Sequence, residues 1–211
     1  MLKVEKMAKW SVIALMLVAV AICPAAANDL ILAPTATTLT TGQLRAEAAL
    51  RPDNTNGRYY WLATGLRQYE LSAIRRQRHG LDVENMIGIQ TSFLPETSFN
   101  PAVAFGVRDV ASQSPEGIGV YAVVTKHLPI GQASLLVKDF AATVGVGVFG
   151  IRGPFAAFEA KLPMNIFVQG EYDSHDFNGA VGWQPASLFR VKAYTIRKEF
   201  YLGAELVPVV F

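Results

Sequence analysis

Beyond residue 42 the chain is a succession of short segments in which apolar and polar side chains alternate, the period of a strand with two unlike faces. In 155–162, Ala156, Phe158, Ala160 and Leu162 oppose Phe155, Ala157, Glu159 and Lys161; in 166–173, Ile166, Val168, Gly170 and Tyr172 oppose Phe167, Gln169, Glu171 and Asp173. The pattern predicts about twelve strands, over 43–51, 58–65, 69–78, 82–93, 101–109, 118–127, 137–149, 154–162, 165–173, 176–184, 187–197 and 199–208. Gly-, Pro-, Asn- and Asp-rich turns such as 52–57 and 94–98 separate them. Segment 137–149 is small and apolar on both faces and reads as one strand or two, so ten or fourteen strands are the alternatives. The last segment loses its register near Pro208, where a bulge would restore it.

The first nine residues carry Lys3, Lys6 and Lys9 against Glu5, and Val12 to Cys23 is an uncharged apolar run. This is the basic and apolar order of a secretory signal, and it is shorter than the roughly 20 residues of a spanning helix. Cleavage is expected in the small-residue stretch before Asn28, taking Cys23 with it; Ile22 is bulky where a lipoprotein signal wants a small residue. The domain reading is a signal over 1–27, an extended lead-in over 28–41, which is expected on the periplasmic side, and one β domain over 42–211. An exported chain without cysteine has neither disulfides nor thiolate metal sites. Net charge is +2 with the signs interleaved, which leaves nucleic-acid binding without an electrostatic footprint.

Export, two-faced strands of membrane-crossing length and a terminal aromatic together predict an all-β fold, an antiparallel up-and-down transmembrane β-barrel with its apolar face to lipid. Closure is required, because an open edge in hydrocarbon strands backbone groups at several kcal/mol each. Outer-membrane lipid is then the surrounding partner. Phe211, preceded by alternate apolar residues, resembles the signal read by the barrel-assembly machinery. Tyr59-Tyr60-Trp61 reads as part of an interfacial aromatic girdle, and Arg75-Arg76-Gln77-Arg78-His79 as a rim facing lipid phosphates or a solvated loop.

The ordered series Asn100-Pro101-Ala102-Val103-Ala104-Phe105-Gly106-Val107-Arg108-Asp109, Tyr121 to Lys126, Gly153-Pro154-Phe155-Ala156-Ala157-Phe158-Glu159 and Glu171-Tyr172-Asp173 with Phe177-Asn178 resembles the YjbH-type outer-membrane proteins linked to exopolysaccharide. Tyr69-Glu70-Leu71 fits the same pattern more weakly. The resemblance covers about residues 100–205 and implies a β-barrel associated with exopolysaccharide or its export proteins. This chain has room for one small barrel only, and the family offers no catalytic residue to carry over.

On the polar face, Arg108, Glu159, Lys161, Glu171, Asp173, Arg190, Lys192 and Glu205 are expected to form a charge network inside the lumen, where Arg108 and Asp109 end the fifth strand and the carboxylates Asp109, Glu171 and Asp173 can pair with Lys161, Arg190 and Lys192. A balanced charged lumen reads as plugged by its own side chains more readily than as an open pore. Glu171, Asp173, His175 and Asp176 cluster as metal ligands would, but turn formation explains His175 and Asp176. His79, His127 and His175 are too scattered for a triad, and 145–150 is Gly-rich without the Lys-Ser/Thr of a phosphate loop. No cofactor, metal or catalytic residue is therefore expected. The functional reading is a non-enzymatic outer-membrane barrel, either an accessory to exopolysaccharide export or a narrow pore. An exported soluble β-sandwich that binds a ligand and a barrel enzyme are the rivals.

Overall fold

Each strand hydrogen-bonds to the next in the sequence, and the twelfth returns to pair with the first. The computed structural model describes residues 30–77, 82–128, 130 and 136–210. Its strands are β1 (Gln43–Arg51), β2 (Asn54–Leu66), β3 (Tyr69–Gln77), β4 (Glu84–Leu94), β5 (Ala102–Arg108), β6 (Gly119–Leu128), β7 (Asp139–Phe149), β8 (Gly153–Lys161), β9 (Ile166–Tyr172), β10 (Phe177–Ala186), β11 (Phe189–Ile196) and β12 (Glu199–Val210). Every neighbouring pair is antiparallel, so the sheet is a closed up-and-down barrel without an edge. The doubtful segment 137–149 is a single strand, paired over its length with β6 and β8, which fixes the number at twelve. The signal over 1–27, Cys23, Arg78, His79 and Phe211 lie outside the described residues.

Alternation places the side chains as the period-two pattern predicts. On β9, Phe167, Gln169 and Glu171 are buried while Ile166, Val168, Gly170 and Tyr172 are more open. The outer wall carries Leu50, Leu62, Ile87, Ile89, Phe105, Val144, Val146, Phe158, Val181 and Leu202, all exposed, and this apolar surface suits hydrocarbon. Aromatics stand exposed at both ends, with Phe93 and Phe99 at the end bearing the start of β1, and Phe149 and Phe177 at the other. The Tyr59-Tyr60-Trp61 cluster is not a girdle: only Tyr60 faces out, and Tyr59 and Trp61 are buried in the lumen, because successive residues of a strand must point to opposite faces. Across β1 and β12 the register shifts by one residue between Leu44 and Ala46, opposite Leu206 and Val209, which places a bulge at Pro208.

An eight-stranded barrel is filled by its own side chains, and diameter grows with strand number. Here the surplus room is taken by the N-terminal segment. Leu30, Ile31, Leu32, Ala33, Ala36 and Leu39 are all buried. Residues 30–39 lie inside the ring and split its apolar interior in two. Ile31, Leu32 and Leu39 pack with Tyr59, Trp61, Ile74, Met86, Tyr194 and Tyr201; Leu30, Ala33 and Ala36 pack with Ala102, Ala104, Tyr121, Val123 and Phe155. Glycines on the inner face make the second cluster fit. A Cβ on Gly145 would stand 2.1 Å from the Phe155 ring, and one on Gly106 2.3 Å from Tyr121.

Candidate functional site: an occupied lumen

The segment is held by wall side chains that bind its main chain. Its backbone cannot join the ladder, so each buried N–H and C=O needs another partner. Leu30 to Ala33 forms a turn, closed by the Leu30 N–H donating to the Ala33 carbonyl at 3.2 Å. Three successive N–H groups of that turn converge on Glu171. Ile31 donates to Oε2 at 3.1 Å, Leu32 to Oε1 at 2.9 Å and Ala33 to Oε2 at 2.9 Å. Asn178 Nδ2 donates to Oε1 from the adjoining strand at 2.9 Å, so Glu171 is a buried carboxylate in an N–H cradle. Further along, Ala36 N–H donates to Thr125 Oγ1 at 2.8 Å and Leu39 N–H to Glu70 Oε2 at 2.8 Å. Three side chains reach the segment's carbonyls: Lys192 donates to Leu30, Arg108 to Leu32, and Gln90 to Thr35.

Around this segment the wall carries a dense ionic cluster. Glu47 and Glu205 stand directly opposite each other on β1 and β12, an unfavourable pair unless a cation intervenes. Lys192 supplies it, with Nζ 2.7 Å from Glu47 and 3.8 Å from Glu205. Gly203, opposite Lys192, has no side chain, and a Cβ there would meet the Tyr194 ring at 2.9 Å and Glu47 Oε1 at 3.3 Å. Arg45 holds Glu205 at 2.8 Å and lies over the Trp61 ring. Arg190 lies over Phe167 and is bidentate to Glu159 at 3.2 Å for both contacts, while Gln169 donates to Glu159 at 2.7 Å.

At the end of the barrel remote from the start of β1, the loop between β5 and β6 folds over the mouth. Asp109 organises it by accepting from the Gln113 and Ser114 N–H groups and the Ser114 hydroxyl. Glu116 then reaches across to Arg197, in the turn between β11 and β12, and to Arg76 of β3 at 3.7 Å. Burial pushes the Glu116 carboxyl up, but the Arg197 hydrogen bond and the charges of Arg197 and Arg76 outweigh it and bring it down to about 2. Arg197 and Lys198 both adopt positive φ, at 48° and 69°, where Gly or Asn is usual. The strained turn is held by Arg197 N–H on Asn178 and its guanidinium on Glu116. Between segment and loop remains a cavity of about 40 Å³ bordered by Leu32, Arg76, Arg108, Glu116, Ile151 and Arg197, room for a few waters and not for a sugar.

Of the charges expected to form the lumen network, Glu159, Glu171, Arg190, Lys192 and Glu205 are buried on the inner face. Their partners differ from the expected ones. Glu171 is met by backbone N–H groups, and Lys192 takes Glu47 and Glu205. Lys161 stays at a strand end with Asp139 at 3.0 Å, and Arg108 turns to the segment. Asp173 belongs to the turn after β9, where it accepts from the His175 and Asp176 N–H groups. Arg76 is not part of a lipid-facing rim; it is buried and bound to Glu84 at 2.6 Å. His127 Nδ1 pairs with Glu96 at 2.6 Å, and the Ser174–His175 contact of 3.1 Å stays within one turn. Among the described residues no group of three or more His, Cys, Asp or Glu is placed to hold a metal ion. Glu47, Glu70, Arg45, Gln90 and Thr125 were not legible as site residues. The signal for them was the apolar run 30–33 in an exported chain, which has to be buried somewhere.

No family model matches the chain. No curated protein matches it either, so the YjbH-type resemblance rests on the residues quoted for it alone. Among solved structures the fold is similar to a KdgM porin in complex with disordered oligogalacturonate, with a TM-score of 0.50, 10% identity, 78% of this chain covered and 98% of that one. A second structure of KdgM porin aligns with a TM-score of 0.50 at 9% identity over the same shares. At that identity the likeness is one of fold: a closed, twelve-stranded antiparallel barrel.

Proposed function

We propose that the protein is a non-enzymatic outer-membrane barrel, a narrow pore of the envelope that is closed at rest by its own segment 30–39. The observation that carries this reading is the Glu171 cradle, which seats that segment inside a closed ring whose outer wall is apolar. The likeness to porins supports the pore class, and the solute of the oligogalacturonate-bound neighbour is not carried over. Among the described residues, seven buried carboxylates (Glu47, Glu70, Glu84, Asp109, Glu159, Glu171 and Glu205) face four buried cations (Arg45, Arg76, Arg190 and Lys192). An acidic sugar meets net repulsion there. A role as accessory to exopolysaccharide export follows from the sequence resemblance; in that role the barrel acts as an envelope component beside the export proteins and not as the polymer's conduit, since residues 30–39 occupy the lumen.

The test is expression with the native leader, membrane fractionation, and gel migration with and without boiling. An outer-membrane band that runs compactly until boiled, with low conductance in planar bilayers, supports the reading. A soluble periplasmic protein with no heat shift discards it in favour of a ligand-binding sandwich. Unchanged exopolysaccharide secretion in a deletion strain would remove the accessory role and leave the barrel.

A further inference from the structure

We infer that residues 30–39 are a displaceable stopper and that the passage they vacate conducts small cations. The inference rests on the pore reading above and adds a moving part and a solute class. The wall is complete without the segment. All twelve strands are paired on both sides, and at the segment's exit Thr41 bridges Gly65 and Gly42 N–H donates to the Gly65 carbonyl. Deeper in the lumen, beside the apolar packing of Ile31, Leu32 and Leu39, wall side chains bind main-chain N–H and C=O groups of the segment, polar contacts that water can replace group by group. Thr40 and Gln43 fix the hinge, with Thr40 N–H on Gln43 Oε1 at 2.8 Å and Gln43 N–H on the Thr40 carbonyl at 3.0 Å.

Withdrawal changes the charge of the surface left behind. Lys192 remains between Glu47 and Glu205, Arg190 remains on Glu159, and Arg45 remains on Glu205. Glu70 and Glu171 lose the N–H groups of Leu39 and of Ile31 to Ala33, Arg108 loses the Leu32 carbonyl, and Lys192 and Gln90 lose those of Leu30 and Thr35, Lys192 keeping its two carboxylates. Two carboxylates against one guanidinium, with Gln90 and Thr125 between them, line a hydrated path. Such a lining attracts monovalent cations and excludes polyanions, as acidic rings do in cation channels. Glu171 is the principal latch, because one side chain there satisfies three N–H groups of the segment.

The experiment is single-channel recording of the full chain in planar bilayers under a KCl gradient, with two sets of variants. Glu171→Ala should raise the open probability by about tenfold or more, with a reversal potential displaced toward that of potassium. In a chain with Cys23→Ser, the pair Ala36→Cys and Thr125→Cys should abolish openings when oxidised and restore them on reduction. A heat-modifiable Glu171→Ala barrel that inserts and stays silent overturns the stopper, and openings selective for chloride overturn the solute class. If Glu171→Ala does not assemble, the cysteine pair decides: identical silence before and after reduction overturns the proposal. Failure of the unmodified chain to show a heat shift condemns the membrane-barrel reading itself, a different outcome from any of these.

Discussion

The barrel wall and the segment inside it are built from the same chain by opposite means. In the wall the backbone pairs with backbone, strand after strand, and side chains only fill the two faces. In the segment the backbone pairs with side chains: Glu171, Glu70, Thr125, Gln90, Lys192 and Arg108 each supply an acceptor or donor that a neighbouring strand would otherwise provide. The difference teaches where stability and function divide. A ladder in lipid has no competing solvent, so it is all or none. A segment bound by side chains in a lumen can leave without the ladder opening.

The comparison breaks most completely if the wall is cut. Val123→Pro removes a donor from the centre of β6, where Val123 stands opposite Ala104 and Gly145. It should cost several kcal/mol, since the partner carbonyl has no water to turn to, and abolish the compact unboiled band altogether. Glu205→Ala comes next. It removes the carboxylate that Arg45 holds at 2.8 Å and leaves Lys192 one carboxylate, Glu47, a loss of about 3–5 kcal/mol of the kind seen when one member of a buried ionic group is removed. Urea unfolding of the micelle-bound protein should show the midpoint falling while the heat shift persists.

Acid sharpens the contrast at the mouth. The Glu116 carboxyl is held below its usual 4.5, at about 2, so the stability it lends the β5–β6 loop is fully present above pH 4.5 and is lost as pH falls through 2. Protease cleavage or amide exchange in 109–118 should accelerate over that window, and Glu116→Gln should flatten the response. Lys161→Ala is the smallest effect. Its ion pair with Asp139 is at a strand end and partly exposed on both sides, so the unfolding midpoint should move by less than about 1 kcal/mol.

Strand identity was legible because period two and turn chemistry are local. β1 is where the alternation puts it, and most other boundaries differ by one to four residues. The small and apolar β7 was ambiguous in isolation and became one strand only through its long pairing with β6 and β8. Pairing inside the lumen was not legible, since it depends on register between strands distant in sequence. Lys192 takes Glu47 across two strand boundaries because Gly203 clears the way, a relation absent from the neighbourhood of either residue. The sequence predicts an extended lead-in over 28–41 on the periplasmic side, and in the structure residues 30–39 lie within the lumen. Leu30 to Ala33 has no amphipathic period to announce a partner, and the residues that bind the segment are spread over β3, β4, β5, β6, β9 and β11.

The most direct test is amide hydrogen exchange of the folded full chain in detergent micelles, read residue by residue. The account predicts that the Ile31, Leu32 and Ala33 amides are protected although they lie outside the ladder, and that Glu171→Ala releases these three while Val123 and Val168 in the wall stay protected. Exchange of those three amides at the rate of an unstructured peptide in the unmodified protein would contradict it.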